Sequence, residues 1–468
     1  MNPENLHSLT IDDILEATQG EWTNSAVFPK AIDGISIDSR TISPGQCFIA
    51  LEGEKHDGHH FLAEAVQKGA HALIVQKPRN GPSPSPNGPT IADVPRIEVP
   101  CTSKALENLA LFYRARFTFS LVAITGSLGK TTTKELAFQI ASRYCPTLKS
   151  PKSFNNSIGI PLTFLQIRKE HRVVVLEIGA NAFGEIDHLS RIARPDIALI
   201  TCVAPCHLEG FKNLEGVERA KGEILSGLKR EGTLIVNGDD PACLRIASRF
   251  SGKVVTFGGD EKCDFHIQKI TADGTGSRFW VNGKEFFSSL AGEHNLYNMV
   301  AAIAVAEQWD IPYEIVRDGV RDSQASSMRL EVKSLGGITV INDAYNSSPK
   351  AVMAAISFLK KFRGKRKIAI LGSMLELGEE SEKYHHKVGT EVANSGIDIL
   401  CAVGEEAASF LQGAIEGGMD APKLFFFPRT EEAMERLPAL LEKGDVVLLK
   451  ASRRMAFERL EESLQTTL

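Results

Sequence analysis

The sequence predicts an α/β fold in three domains, and three observations carry that reading. The 468 residues correspond to roughly three domains at about 150 residues each. Short, continuous apolar runs alternate with helical periodicity from Leu121 onward and again from about Ser323, which is how a mainly parallel sheet covered on both faces is written. Between the first of those runs and the helix behind it lies a glycine-rich turn ending in Lys-Thr. The expected architecture is a small α/β N-terminal domain (1–100), a central P-loop ATPase-type parallel sheet domain (101–322) and a C-terminal Rossmann-like domain (323–468).

In the first section, Ile35 to Arg40 alternates like a strand and Cys47 to Leu51 is a short apolar run before a Gly/His-rich turn. Phe61–Gly69 reads as a helix and His71–Val75 as a strand. Pro78 to Pro89, PRNGPSPSPNGP, cannot form a regular element and is expected to be a surface loop. Thr102–Phe117 is predicted helical, with Leu106, Leu109, Ala110, Tyr113 and Phe117 on one face. Leu121–Thr125, Val173–Ile178, Ile197–Val203 and Thr233–Asn237 read as strands, and Lys253–Leu290 as a small antiparallel annex. Ile338–Asn342, Lys367–Leu371, Ile397–Val403 and Val446–Lys450 are the strands expected of the second α/β unit. No repeat of 20–50 residues is visible.

Composition excludes several classes. Hydrophobic residues are 43% and charged residues 24%, too apolar for a disordered chain. The formal charge of −5 argues against a generic nucleic-acid binder, which carries a basic excess. No apolar run is long enough to span a membrane. The first twenty residues lack a basic stretch followed by an apolar core, so no secretory leader is expected. Eight cysteines over this length suit reduced thiols in a cytoplasm.

The turn is Thr125-Gly126-Ser127-Leu128-Gly129-Lys130-Thr131-Thr132. Counted from Gly126 it is one residue shorter than the usual G-x-x-x-x-G-K-[ST], yet strand, turn, Lys-Thr and helix follow in the required order. The glycines let backbone N–H groups converge on phosphate oxygens, and the helix N-terminus adds positive potential. Lys130 can reach the β/γ-phosphates, and the Thr131 hydroxyl can serve Mg²⁺. Such a loop is common to motors, kinases, GTPases and ligases.

Three further residues stand out. Glu177 ends a strand, where α/β sheets place ligand sites. Its carboxylate can hold a hard cation or simply cap a helix. His207 follows the strand Ile197–Val203 and belongs either to the same crevice or to ordinary packing. Cys202, Cys206 and His207 invite a zinc reading but lack a second Cys/His pair at usable spacing. Lys221 falls on the apolar stripe of a helix expected over Glu215–Leu228, with Val217, Ile224 and Leu228. A lysine there is either a snorkelling side chain or an amine of depressed pKa, which could add CO₂ and become an anionic carbamate.

Taken in order, TGSLGKTTTKE (125–135), FNNSIGIPLT (154–163), EIGAN (177–181), PCHLEGF (205–211), AKGEI (220–224), NGDD (237–240), GEHNLYN (292–298) and MRLE (328–331) resemble the Mur ligase family. Those enzymes are ATP-dependent amide-forming ligases of peptidoglycan precursor synthesis. Asn342-Asp343-Ala344-Tyr345-Asn346 and Leu371–Gly378 resemble the branch that adds D-alanyl-D-alanine to UDP-N-acetylmuramoyl-tripeptide. The D-N-P-R motif of the diaminopimelate-adding branch is absent.

The resemblance implies ATP and Mg²⁺ as cofactors, those two substrates as partners, a cytoplasmic monomer, and a reaction through an acyl phosphate. It implies that Gly126–Thr132 hold the phosphates and that Thr131, Glu177, His207 and a carbamylated Lys221 serve magnesium. Asn295 and Asn298 would lie by the adenine, and Arg329 and Asp343 would close over ATP. Lys130, Lys221, His207 and Asp343 form the implied catalytic set. Asn155, Asn156 and Thr163 would face the muramyl peptide. Asp38, Ser39 and Arg40, with the Gly53–His59 turn, would take the UDP end. Tyr345 and Asn346 would meet the dipeptide. Leu128, Ser157, Cys206 and Ser373 depart from the residues usual at their positions. The cradle uses mainly backbone at Leu128, so little harm is expected there, and Ser373 replaces the more usual Asp; Ser157 and Cys206 bear on fine substrate geometry, not on the reaction class. The nearest rivals are another Mur-type or folylpolyglutamate-type ligase, and a nucleotide-binding relative that has lost catalysis.

Overall fold

The computed structural model describes residues 9–23, 31–53, 56–77, 94–273, 276–290, 292–324 and 327–467. The expected loop at Pro78–Pro89 and part of the Gly53–His59 turn lie outside them. Two compact units are present. One comprises Met1–Leu121 with Cys145–Ile178, the other Val122–Tyr144 with Gly179–Leu468.

The first unit holds a five-stranded sheet of β1 (Glu21–Trp22), β2 (Ile35–Ser36), β3 (Cys47–Ile49), β4 (Ala72–Gln76) and β5 (Arg96–Val99). The order is β1-β5-β4-β3-β2, parallel except for the β1·β5 pair. Phe48, Ala50, Leu62, Ala65, Leu73 and Val75 pack its core. The strand expected over Ile35–Arg40 stops at Ser36. Asp38 ends it by accepting the Arg40 amide on its own carboxylate at 2.9 Å, the local bond by which Asp favours turns over strands. The helix Thr102–Arg114 follows, and Tyr113 donates its hydroxyl to the Ile167 carbonyl (3.0 Å). The same unit carries the parallel pair β7 (Thr147–Lys149) and β8 (Val173–Glu177).

The second unit contains β6 (Ser120–Thr125) from Val122 onward, with β9 (Ile197–Ile200), β10 (Thr233–Asn237), β11 (Lys253–Gly258), β12 (Phe265–Asp273), β13 (Gly276–Val281) and β14 (Lys284–Ser288). They run as neighbours in the order β6-β9-β10-β11-β12-β13-β14. The pairs from β6 to β12 are parallel and the last two antiparallel. The annex expected to begin at Lys253 therefore begins later, because β11 extends the parallel sheet. β6, β9 and β10 are almost wholly buried, which is why their sequences read as unbroken apolar runs.

The helix expected over Glu215–Leu228 is α-helical only over Leu214–Gly222 and tightens to a 3₁₀ turn at Glu223–Ser226. At that point the Glu223 carboxylate turns away to accept the Gly184 and Asp187 amides (2.9 and 3.2 Å), capping the neighbouring helix Glu185–Ala193.

The remaining sheet comprises β15 (Glu331–Leu335), β16 (Ile338–Asn342), β17 (Lys367–Gly372), β18 (Ile399–Val403), β19 (Leu424–Phe427) and β20 (Val446–Lys450). Its order is β15-β16-β20-β17-β18-β19, with only β15·β16 antiparallel. Val340, Ile370, Cys401, Val447, Leu449 and Leu460 lie in its core.

Candidate functional site

The phosphate loop joins β6 to the helix Lys130–Ala141. Gly126 and Gly129 have φ of +139° and +80°, backbone space that side-chain-bearing residues rarely adopt. A Cβ on Gly126 would lie 2.0 Å from Thr201 Oγ1, and one on Gly129 2.3 Å from Asn298 Oδ1. The loop is pinned from below by the segment after β9. The Ser127 amide donates to the Cys202 carbonyl (2.9 Å) and the Ser127 hydroxyl to the Ala204 carbonyl (2.8 Å). That hydroxyl accepts from the Ala204 amide (2.9 Å) and the Cys206 thiol (3.3 Å), and Thr201 donates to the Leu128 carbonyl. Lys130 Nζ donates to the Gly126 and Ser127 carbonyls at 2.8 and 3.3 Å. Thr131 is buried and Thr132 half-buried on the first helical turn.

Asn295 and Asn298 are buried on the helix Glu293–Glu307, and Asn298 donates to Asn295 Oδ1 at 3.2 Å. Asn298 also accepts from the Thr133 hydroxyl (3.3 Å). Asn298 therefore backs the phosphate loop at Gly129, and Asn295 is tied to it.

Arg329 stands between Met328 and Leu330, both left-handed with φ of +58° and +53°. Held there, its Nη2 donates to Thr131 Oγ1 at 2.9 Å. Its guanidinium lies 4.2 Å from the centroid of the Tyr345 ring, and that of Arg453 lies 5.8 Å from the same ring. Asp343 follows β16 and accepts the Leu330 amide (3.2 Å). Its other oxygen is paired with Lys450, a lysine 2% exposed at the end of β20. Lys450 also donates to the Asp343 and Asn346 carbonyls (3.2 Å each), and Asn346 Oδ1 accepts the Arg453 amide (3.4 Å).

His207, with φ +49°, precedes the short helix Leu208–Phe211. Its Nδ1 is bonded to Glu376, and this bond holds the Glu376 carboxyl below its ordinary pKa. Cys206 bonds Ser127 while His207 bonds Glu376, so the residues of the zinc alternative face different partners. Lys221 is 1% exposed, and its amine lies 5.2 Å from the centroid of the Phe211 ring. Burial depresses its pKa to about 8. The apolar-stripe reading of Lys221 thus holds, even though the helix around it is shorter than expected.

In the first unit, Glu177 is buried at the end of β8. It accepts Asn155 Nδ2 at 2.9 Å, and its amide donates to Ser150 Oγ (3.2 Å). Asn156 Oδ1 accepts the Ile158 and Gly159 amides (3.2 and 2.9 Å), and Thr163, fully buried, donates to the Gly159 carbonyl (2.8 Å). These two side chains shape the turn and the helix Gly159–Phe164. On the other edge of the unit, Arg40 forks onto Asp38 through Nε and Nη2 (2.9 and 2.7 Å). This contact lowers the Asp38 pKa to about 2. Ser39 donates to Glu64 (2.7 Å), and His59 Nδ1 meets Asp57 at 2.6 Å.

The structure thus gathers Lys130, Thr131, Arg329, Tyr345 and Asp343 around the phosphate loop. Sequence reasoning missed Lys450 and Glu376. The signal for Lys450 was present: a lysine closing the apolar run Val446–Leu449 sits where α/β sheets place ligands.

Three family models match the chain: Mur ligase family, catalytic domain, over residues 31–114; Mur ligase middle domain over 124–306; and Mur ligase, glutamate ligase domain, over 328–453. The chain is 34% identical to the UDP-N-acetylmuramoyl-tripeptide–D-alanyl-D-alanine ligase of Bacillus subtilis strain 168, over 97% of this chain and 98% of that protein. It superposes on a crystal structure of MurF from Acinetobacter baumannii with a TM-score of 0.87 at 32% identity, covering 98% of this chain and 99% of that one. For MurF ligase from Thermotoga maritima in complex with ADP the TM-score is 0.78 at 27% identity, covering 93% and 97%.

Proposed function

The chain belongs to the Mur ligase family, and on that premise we propose that it joins the amine of D-alanyl-D-alanine to the carboxylate of UDP-N-acetylmuramoyl-tripeptide with hydrolysis of ATP to ADP and phosphate. The observation that carries this reading is the continuity from nucleotide loop to acceptor motif. Arg329 bonds Thr131 on the loop and stacks on Tyr345 of the Asp-Ala-Tyr-Asn segment.

Condensing a carboxylate with an amine is uphill in water, so the carboxylate is first activated. A carboxylate oxygen attacks the γ-phosphorus, the bond to the bridging oxygen of ADP breaks, and an acyl phosphate forms. The dipeptide amine then attacks the carbonyl carbon, and the tetrahedral adduct expels phosphate and loses the amine proton. The chain's part is positional and electrostatic. The loop amides and Lys130 offset phosphate charge, and Arg329 adds a second cation from the opposite segment. Lys450 and Leu330 hold the Asp343 carboxylate in place.

Within the second unit, the Thr131 hydroxyl is a hard oxygen donor of the kind magnesium takes, a carbamate on Lys221 would add another, and His207 would serve the same ion. Glu177, in the first unit, is a carboxylate of the same hard-donor class. When bound, Mg²⁺ supplies charge neutralisation at the phosphates. Residues 1–100 are assigned to the UDP end through Asp38, Ser39 and Arg40, 101–322 to ATP and the muramyl peptide through Asn155, Asn156 and Thr163, and 323–468 to the dipeptide through Tyr345 and Asn346. Eight free thiols are consistent with a cytoplasmic setting. Among the described residues no helix is long and apolar enough to cross a membrane.

Phosphate release tests the reaction. It should require the tripeptide precursor and D-alanyl-D-alanine together. Turnover of ATP without the dipeptide, or with glutamate or a folate in place of the two substrates, would exclude this assignment.

A further inference from the structure

The loops after β9 and β17 meet at His207 and Glu376, two non-glycine residues both in left-handed conformation, with φ of +49° and +68°. Such residues persist where their surroundings fix them, and they cluster at functional sites. Four further contacts hold this meeting point. The Glu209 amide donates to the Glu376 carbonyl (3.3 Å), and Arg454 Nη2 donates to the Glu376 carboxylate (3.4 Å). Behind the loop, the Met374 amide donates to Nε2 of His385 (2.9 Å), whose Nδ1 faces the Ser381 carbonyl (2.7 Å). His385 is fully buried, so the base of the loop is held from within the fold.

A carboxylate only accepts hydrogen bonds. The contact with Glu376 therefore fixes the His207 proton on Nδ1 and makes Nε2 the lone-pair nitrogen of the neutral ring. Among the described residues, no hydrogen bond is made to Nε2. A histidine that serves a cation or reacting group through one nitrogen is ordinarily set by a carboxylate on the other.

We infer that Glu376 is a positioning residue of the reaction, supplied by the C-terminal sheet, that sets the tautomer and orientation of His207 beside the phosphate loop. His207 is then correctly presented only while the loop after β17 is docked against the helix Leu208–Phe211. This inference rests on the ligase reading for its purpose, but its evidence is independent of turnover.

The test uses the full chain labelled with ¹⁵N-histidine, with ADP present and at a pH near 8. The His207 signals are assigned by their disappearance in His207→Gln. In the parent protein, His207 should show protonated Nδ1 and unprotonated Nε2. Glu376→Ala should shift it to the Nε2–H form ordinary for a free imidazole, whereas Glu376→Gln, whose amide oxygen still accepts, should retain Nδ1–H. Mn²⁺ affinity in the presence of ADP, read by electron paramagnetic resonance, should fall about tenfold in Glu376→Ala and less in Glu376→Gln. Nucleotide affinity without metal should remain unchanged. Nε2–H in the parent protein, or a tautomer and Mn²⁺ affinity indifferent to Glu376→Ala, would overturn the inference. A chain that fails to ligate D-alanyl-D-alanine yet shows these shifts would overturn the ligase reading and leave the positioning role standing.

Discussion

Arg329 donates to Thr131 at 2.9 Å although the two are 198 positions apart in the chain. The arginine lies just before β15, the threonine at the start of the phosphate-loop helix. On the proposed reading, removing the arginine takes away one preorganised donor at the phosphates. Arg329→Ala is expected to lower kcat/KM for ATP by about 10²–10³. Arg329→Lys should recover only part of this, since a lysine keeps charge but not the planar group that stacks on Tyr345. Steady-state kinetics with ATP varied reads both values, and a lysine variant of full activity would deny the stacked geometry any role.

The Lys221 amine has its pKa lowered from 10.5 to about 8. At pH 7.5 roughly a quarter of it is neutral, against about one part in a thousand for an ordinary lysine, and only the neutral amine adds CO₂. A ¹³C-carbamate resonance should appear when the protein is equilibrated with ¹³C-bicarbonate, grow as pH rises toward and past 8, and be missing from Lys221→Ala. That variant should also lose most ligase activity. Full activity in Lys221→Ala would remove the carbamate from the mechanism.

Gly129→Ala forces a side chain into φ +80° and into contact with Asn298 Oδ1. The conformation alone costs about 1–2 kcal/mol. Because the strain falls on the loop itself, ADP affinity should drop by more than tenfold while the melting temperature falls only modestly. Calorimetric titration with ADP and a thermal melt on the same sample separate the two effects.

Burial holds the His385 pKa below its ordinary 6.5. The neutral ring accepts from Met374 through Nε2, and protonation would turn that nitrogen into a second donor facing a donor. The stabilisation is therefore fully present above pH 6.5 and lost as pH falls through the lower folded value. His385→Gln should cost about 1–3 kcal/mol at pH 7.5, and the gap to the parent protein should narrow by pH 5. Urea denaturation at both pH values measures it, and a constant gap would mean that His385 does not titrate with unfolding.

Much of the fold was legible because buried parallel strands are written as apolar runs. β10, β16 and β20 fall at the residues expected of them. β15 and β19 were not found. β15 is a half-exposed edge strand, Glu-Val-Lys-Ser-Leu, whose alternation carries charge, and β19 is four residues long. The phosphate loop was legible because its chemistry is local. Glu376 was not, since its role comes from a partner 169 positions away and nothing in its own neighbourhood marks it, whereas Lys450 carried a local signal at the end of β20 but its partner Asp343 lies 107 positions away. At Asp38 the alternation pattern was present but misleading, because a side chain bonding its own backbone outweighs strand propensity.

β20 lies between β16 and β17 although it follows both in the chain, and it ends in the lysine that ties down Asp343 and Asn346. On the ribosome, the segment at 342–346 therefore emerges long before the strand that completes it. Until residue 450 is available, the sheet has a gap at its centre, and the Asp343 carboxylate lacks its buried counter-charge. A chain ending before β20 would carry the nucleotide loop while Asp343 and Asn346 still lacked the lysine that ties them down. Closing this sheet is thus a non-local step that waits on its last parallel strand.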